Sequence, residues 1–405
     1  MHLPEGGILL SEVQRDILNT LRNIFKSENN SLICDYGYDT ASTQEMRDTV
    51  LKNGILLTVY KELPAVLREE LKLKYTAGLK QSILQDHYGN MIINGIIETG
   101  TDCIPLKGWE LRKFYPNPQM RMMADIDFLV KPYDFSSIRF VMEGLGFTGE
   151  KETPWKHDTF IKDEVSVEIH KRLTDDSANV QKWENDLWAR AEKKGEHLFS
   201  MSAEDFYIFH FVHLLKDFKN GKLGLRRIVD TWLLVSRSSQ IGSAKETLDD
   251  FGMLDFHDRM IKTARAAMGE EDIDDDIGLL LSHAFKYGIF GTDENYKVGR
   301  IASMGNGLRA GKIRSALAAV FLPYDRMKAH FPILKEHPVL LPYYWIKRIL
   351  GYLGNGFLKN AKRLDYSNID EDLFRYKFSF QFLRKAMPKN TQTTAQLHSS
   401  HTLVK

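Results

Sequence analysis

The sequence predicts an α+β protein in which a small sheet-bearing unit is set between helical N-terminal and C-terminal regions, and three observations carry that expectation. Residues 8 to about 100, and again 183 to 237, place apolar side chains at helical spacing. Between them, residues 101 to 175 hold short apolar or alternating runs punctuated by Pro and Gly. The third is length, since 405 residues are too many for one compact core.

Composition narrows the class. With 43% hydrophobic, 27% charged and 11% aromatic residues the chain has the make-up of a folded globular protein. The net charge of +1 supplies no general field toward nucleic acid or an anionic membrane, so any polyanion must be recognised locally. Cys34 and Cys103 stand far apart, which implies neither a disulfide framework nor a thiolate zinc site and points to a reducing, cytoplasmic compartment. Glu12 and Arg15 interrupt the apolar character of the first helix, and nowhere do about 18 uncharged apolar residues run together, so neither a leader nor a membrane span is expected.

Ile17, Leu21 and Phe25 fall at i, i+4 and i+8, and a long polar-apolar helix follows over residues 65 to 98. Residues 101 to 107 read as a short buried strand, 109 to 114 as a helical turn, 115 to 118 as a breaker and 125 to 130 as a second strand. A helix over 133 to 145 puts Phe135, Ile138, Val141, Met142 and Leu145 on one face and stops at Gly146. Residues 157 to 161 and 165 to 170 form a hairpin around Lys162, Asp163 and Glu164. These elements divide the chain into a helical N-terminal domain (1–100), the sheet unit (101–175), a helical domain packing over it (176–290), a basic aromatic helical region (291–389) and a disordered tail (390–405). Between residues 297 and 389 basic residues outnumber acidic ones about threefold, interleaved with Tyr343, Tyr344, Trp345, Tyr352 and Phe357. That is either a phosphate- or RNA-binding face or a solvated basic surface over an aromatic core.

The chemistry sits in the sheet unit. Side chains alternate along a strand, so Asp125 and Asp127 point one way while Ile126 and Phe128 point into the opposite layer. The same rule turns Val165, Val167 and Ile169 to the core and Ser166, Glu168 and His170 to the other face. Like charges about 6 to 7 Å apart are unfavourable unless solvent or a cation compensates them. Magnesium, or manganese in its place, suits oxygen donors, and three carboxylates are what a two-metal phosphoryl-transfer site requires. Upstream, Lys107 and Gly108 end a strand and open a helix, where backbone N–H groups favour a phosphate, and Arg121 can fork onto a polyphosphate. Each group also has a plainer reading: Asp-X-Asp as a solvated edge or turn, Glu168 as a partner for Lys171 or Arg172, Arg121 as a surface salt bridge to Asp125, Lys107 as an exposed charge. Their conjunction within about 65 residues is more specific than any one of them.

The strings LKGWELRKFYPNPQMRMMADIDFLV, LGF and VEIHKRL, about a tenth of the chain, resemble the uncharacterised nucleotidyltransferase family of the DNA polymerase β-like superfamily. The resemblance implies a mixed-sheet palm, metal ligation by Asp125, Asp127 and Glu168, and triphosphate binding around Lys107 and Gly108. The chain departs from the superfamily's usual pattern in three ways. Trp109 follows Gly108 where a Ser or Gly is usual, 17 positions separate Gly108 from Asp125, and Glu168 stands where the family commonly has aspartate. A looser match over His210, His213, Lys216, Arg226, Arg227 and Asp230 implies that His213, Arg227 and Asp230 border the nucleotide. The alternative there is an internal network with Arg227 paired to Asp230. The activity implied is transfer of a nucleoside monophosphate from a nucleoside triphosphate to a hydroxyl of a small molecule, sugar, protein or RNA. The competing expectations are an inactive nucleotide-binding module that regulates a partner, and a helical adaptor that binds RNA or an acidic protein.

Overall fold

The computed structural model describes residues 10–26, 39–131, 135–152, 157–173, 178–238, 242–304 and 307–354. Cys34, Tyr133, Phe357, the tail at 390–405 and the basic region beyond residue 354 lie outside them. Five strands, β1 (Cys103–Pro105), β2 (Asp125–Val130), β3 (Thr148–Glu152), β4 (His157–Lys162) and β5 (Val165–His170), form one sheet in the order β1-β2-β5-β4-β3. Only β2 and β5 run parallel; the other pairs are antiparallel, so the sheet is mixed and the class is α+β. The connection from β2 to β5 passes through a helix and the β3–β4 excursion, as a parallel pairing demands.

The helices are α1 (Glu12–Lys26), α2 (Thr40–Lys52), α3 (Leu56–Val59), α4 (Ala65–Glu98), α5 (Gly108–Leu111), α6 (Phe135–Gly144), α7 (Ala178–Asn185), α8 (Leu187–Arg190), α9 (Ala203–Lys219), α10 (Leu225–Arg237), α11 (Gly242–Asp250), α12 (Leu254–Ala267), α13 (Asp275–Tyr287), α14 (Asp293–Met304), α15 (Leu308–Val320), α16 (Tyr324–His330) and α17 (Leu341–Gly354). A two-stranded ribbon, β6 (Glu192–Lys193) with β7 (Phe199–Ser200), precedes α9.

Two apolar cores result. In one, Ile126, Phe128, Val165, Val167 and Ile169 on the inner sheet face meet Ile92 and Ile96 of α4 and Ile138 and Met142 of α6. Each such buried side chain contributes about 1.5–3 kcal/mol, and together they hold this face against α4 and α6, while Ile104 and Leu129 on the opposite face join the other core beside the acids. The second core joins α1, α3 and the start of α4 to α9, α10, α12 and α13. The 34-residue α4 is common to both, with Leu67 and Leu71 in one and Ile92 and Ile96 in the other. Helices before and after the sheet in sequence thus pack on one another.

The turn between β4 and β5 places Asp163 and Glu164 at φ of 47° and 66°. Two consecutive left-handed residues match the right-handed twist of a tight hairpin, at a steric cost to non-glycine residues. Strand β3 is an addition to the predicted elements: Thr148–Glu152 lacks apolar alternation, and its backbone finds partners because β4 offers an open edge. The acidic run at 270–276 ends as a cap, the Asp274 side chain accepting from the Ile277 N–H at the start of α13. Among the described residues no helix is long and apolar enough to cross a membrane.

Candidate active site

Register sets the site. In the parallel β2–β5 pair Asp125 lies beside Ser166 and Asp127 beside Glu168, so the acids share the face opposite the core. Lys107 Nζ lies 2.5 Å from Asp127 Oδ1 and 3.8 Å from Glu168 Oε2. His170 Nε2 lies 2.9 Å from the same Asp127 oxygen and 3.1 Å from Glu168 Oε2. The acids differ in access: the Glu168 side chain is 22% exposed and that of Asp127 7%.

Electrostatics separates the three carboxyls. Burial and the neighbouring charges of Asp127 and Glu168 raise the Asp125 carboxyl above the ordinary aspartate value. Burial would raise Asp127 too, but the Lys107 ammonium and the His170 hydrogen bond prevail and hold it well below the carboxylate range. For Glu168 burial is likewise overcome, by His170 and by Lys107 against the repulsion of Asp127, and the carboxyl is lowered. Lys107 is itself mostly buried, which favours its neutral form; the charges of Asp127 and Glu168 outweigh this and raise it.

The lysine reaches the acids through an unusual backbone. It precedes α5 with φ 46° and ψ −116°, a conformation that L residues adopt only at a cost. Gly108 follows because nothing larger fits: a Cβ there would stand 2.6 Å from Arg121 Nη1 and 2.9 Å from Met123 Sδ. Trp109, the departure from the Ser or Gly pattern, is buried against α4, where a Cβ on Gly89 would come within 2.3 Å of its ring. The turn is therefore anchored by an aromatic wedge on one side and packed tightly at its glycine on the other.

Helices α9 and α10 close the second side. A pocket is lined by Lys107, Phe206, Phe209, His210, His213 and Arg227. The Arg227 guanidinium pairs with Asp217, and His213 Nδ1 is 3.3 Å from that carboxylate one helical turn away. Burial drives the His213 imidazole down to about 4 despite Asp217, so it is neutral near pH 7. Burial would raise Asp217, but Arg227 and His213, with Lys107 assisting, hold it well below the usual range.

A profile of the family described as "uncharacterised nucleotidyltransferase" matches residues 35–266, more than half of the chain. The chain belongs to this family. Membership supports nucleotidyl transfer as the function of this nucleotidyltransferase-family chain and implies a nucleoside triphosphate as substrate. No curated protein matches the chain. Among solved structures it is similar to the antibiotic-resistance factor ANT(2″)-Ia, at 12% identity over 42% of this chain and 92% of that one with a TM-score of 0.32.

The structure brings Lys107, Asp127 and Glu168 together with Asp125 beside them, and Lys107 shares a pocket with His213 and Arg227. Arg121 packs against Gly108, but its guanidinium is committed to Asp230. Arg121 Nε and Nη2 donate to the two oxygens of Asp230 at 2.7 and 2.8 Å, and Tyr115 Oη donates to the same carboxylate at 3.0 Å. Those side chains are 2% and 0% exposed, so Arg121 pairs with Asp230 rather than with Asp125, and Arg227 takes Asp217 instead of Asp230. The pair ties the segment before β2 to α10 in the interior. Two contributors escaped sequence reasoning. His170 was on the correct face by alternation, but nothing marked it as a partner of Asp127; Asp217, seven positions after His210, shares the helix face of His213 by its i+4 spacing.

Proposed function

We propose that the chain transfers a nucleoside monophosphate from a nucleoside triphosphate to an acceptor hydroxyl and releases pyrophosphate, with divalent metal. One observation carries the reading: Asp127 and Glu168 are register neighbours around a single ammonium, on the same face as Asp125 and next to a pocket with a further cation, Arg227. The fit to a metal can be judged from that ammonium, because Lys107 Nζ marks a place where these oxygens already accept a cation. Asp125, Asp127 and Glu168 offer hard oxygen donors, and these would hold Mg²⁺ or Mn²⁺. When bound, such ions supply charge neutralisation at the phosphate oxygens and acidify an attacking hydroxyl.

The remaining work falls to the chain's own groups. Lys107, which pairs with Asp127 and Glu168, would exchange those partners for the triphosphate in the pocket it already lines. Arg227 adds a second cation there, held in place by Asp217. Neutral His213 donates or accepts a hydrogen bond at the nucleotide without adding charge. Glu168, more exposed than Asp127, receives the acceptor's proton as the acceptor oxygen bonds to the α-phosphorus and the bond from that phosphorus to the bridging oxygen breaks. Arg121 and Asp230 act from the interior by fixing α10, and with it Arg227, against the sheet unit.

The test is incubation with each labelled triphosphate and Mg²⁺ or Mn²⁺, offering small molecules, sugars, protein and RNA in turn, with pyrophosphate and label transfer as readouts. Metal-dependent pyrophosphate release abolished in Asp127→Asn supports the reading. Triphosphate binding without release from any acceptor would replace it with an inactive nucleotide-binding module.

A further inference from the structure

The β4–β5 hairpin brings a second kind of donor to the acidic face. His157 and His170 are direct register partners, and Thr159 is the partner of Glu168, so His157, Glu168 and His170 all project from the same side of neighbouring strands. The two imidazole rings lie 5.0 Å apart between centroids. His157 Nε2 is 3.6 Å from Glu168 Oε1, and His170 Nε2 is 3.1 Å from Glu168 Oε2. One ligand atom from each of the three residues lies within 4.8 Å of the others.

We propose that His157, Glu168 and His170 form a site for a divalent transition ion, zinc in the first place, distinct in donor chemistry from the all-carboxylate set of Asp125, Asp127 and Glu168. A tetrahedral zinc ion with bonds of about 2.0–2.2 Å holds its ligand atoms roughly 3.3–3.6 Å apart. The two nitrogen–oxygen separations, one to each oxygen of the Glu168 carboxylate, are close to that range, so rotation of that carboxylate and release of the His170 nitrogen from Asp127 would complete the site. Two imidazoles and one carboxylate are the donors of an open zinc site, whereas magnesium avoids nitrogen and keeps oxygen ligands. The His157 side chain is 20% exposed, which leaves an entry path from solvent. Zinc binding here is independent of nucleotidyl transfer; its consequence for that reaction rests on the function proposed above, because zinc would withdraw Glu168 from the carboxylate set and inhibit.

The experiment uses the full chain after treatment with a chelator. Zinc chloride alone is titrated calorimetrically, in the presence and absence of millimolar Mg²⁺, and Co²⁺ is added as a spectroscopic probe of tetrahedral geometry. One zinc per chain is expected, not displaced by Mg²⁺. Loss of an outer partner of a metal ligand costs about 10–100-fold in affinity, and loss of the ligand itself at least as much, so His157→Gln should weaken zinc by about 100-fold and remove the tetrahedral cobalt spectrum. His170→Gln gives the same result if its melting curve shows a folded protein. Asp125→Asn, outside the proposed zinc set, keeps zinc affinity within about threefold, a change of under 1 kcal/mol. Zinc affinity unchanged in His157→Gln, or no stoichiometric zinc binding in the unmodified chain, overturns the proposal. Stoichiometric zinc that Asp125→Asn abolishes also overturns it, by assigning the ion to the carboxylates. If no triphosphate yields pyrophosphate under any condition the transfer reading falls, and the zinc titrations stand or fall separately.

Discussion

Two clusters in this molecule set cations against carboxylates, and they resolve the charge in opposite ways. Beneath α10, Arg121 satisfies both oxygens of Asp230 with paired donors, Tyr115 adds a third, and the side chains are 2% and 0% exposed. On the open sheet face, Lys107 and His170 are shared by Asp127 and Glu168, a third acid stands alongside, and Glu168 remains 22% exposed. The first cluster has the geometry of a fastening. The second concentrates more carboxylate than its own cations saturate, and does so beside a pocket. Completeness of pairing, together with access, distinguishes charge that holds a fold from charge available for chemistry.

The comparison breaks most visibly at Asp127. Asp127→Asn should lower pyrophosphate release by at least about 10⁴-fold, more than 5 kcal/mol of transition-state stabilisation, while circular dichroism and the melting temperature stay close to the parent. An active Asp127→Asn enzyme would place the open cluster among the fastenings. Asp230→Ala should do the reverse, since it leaves a buried guanidinium uncompensated and costs about 3–5 kcal/mol of stability in denaturant unfolding. Replacing both partners, Arg121→Met with Asp230→Leu, should recover most of that loss; equal instability in the single and double variants would mean the pair does more than fasten.

Lys107→Met sharpens the contrast with a smaller effect. Removing the internal cation should strengthen Mn²⁺ binding to the acids by a few fold and weaken triphosphate binding by about 10-fold, around 1.4 kcal/mol. Parallel titrations read the two, and a change of the same sign in both would contradict an exchange of partners by this lysine.

A pH-dependent effect concerns His210, whose Nε2 lies 2.9 Å from the Thr231 hydroxyl. Burial lowers its imidazole to about 3 from an ordinary value near 6.5. The unfolded chain then takes up a proton between pH 6.5 and 3 that the folded chain refuses, so this residue makes stability fall as pH decreases through that window, by at most about 1.4 kcal/mol per pH unit. His210→Gln should flatten the dependence there; an unchanged slope in pH-resolved denaturation would show that the imidazole is not the group responsible.

Much of the sheet unit was legible in the residues. Alternation alone placed Ile126 and Phe128 opposite the aspartates, and Val165, Val167 and Ile169 opposite Glu168, and all five are fully buried. The hairpin at 157–170 and the long helix at 65–98 were equally readable, because their patterns are local. Strand β3 was not: a polar edge strand is made by hydrogen bonds to its neighbour and leaves no hydrophobic signature. Nor could a division at residue 100 reveal that α4 serves two cores, since helical spacing states which face is apolar and not what covers it.

By itself, then, the sequence determined which side chains share a face, because strand and helix periods are short-range properties of the backbone. It also placed Lys107, Asp125, Asp127 and Glu168 at element positions from which they could meet. Only the tertiary structure decided who pairs with whom. Arg121 lies 109 residues from Asp230, and it reaches that partner rather than Asp125 because packing of α10 over the sheet unit brings the two into one dry interior. Partner choice among like-charged candidates depends on distance and on exclusion of water, and neither exists until the cores have closed.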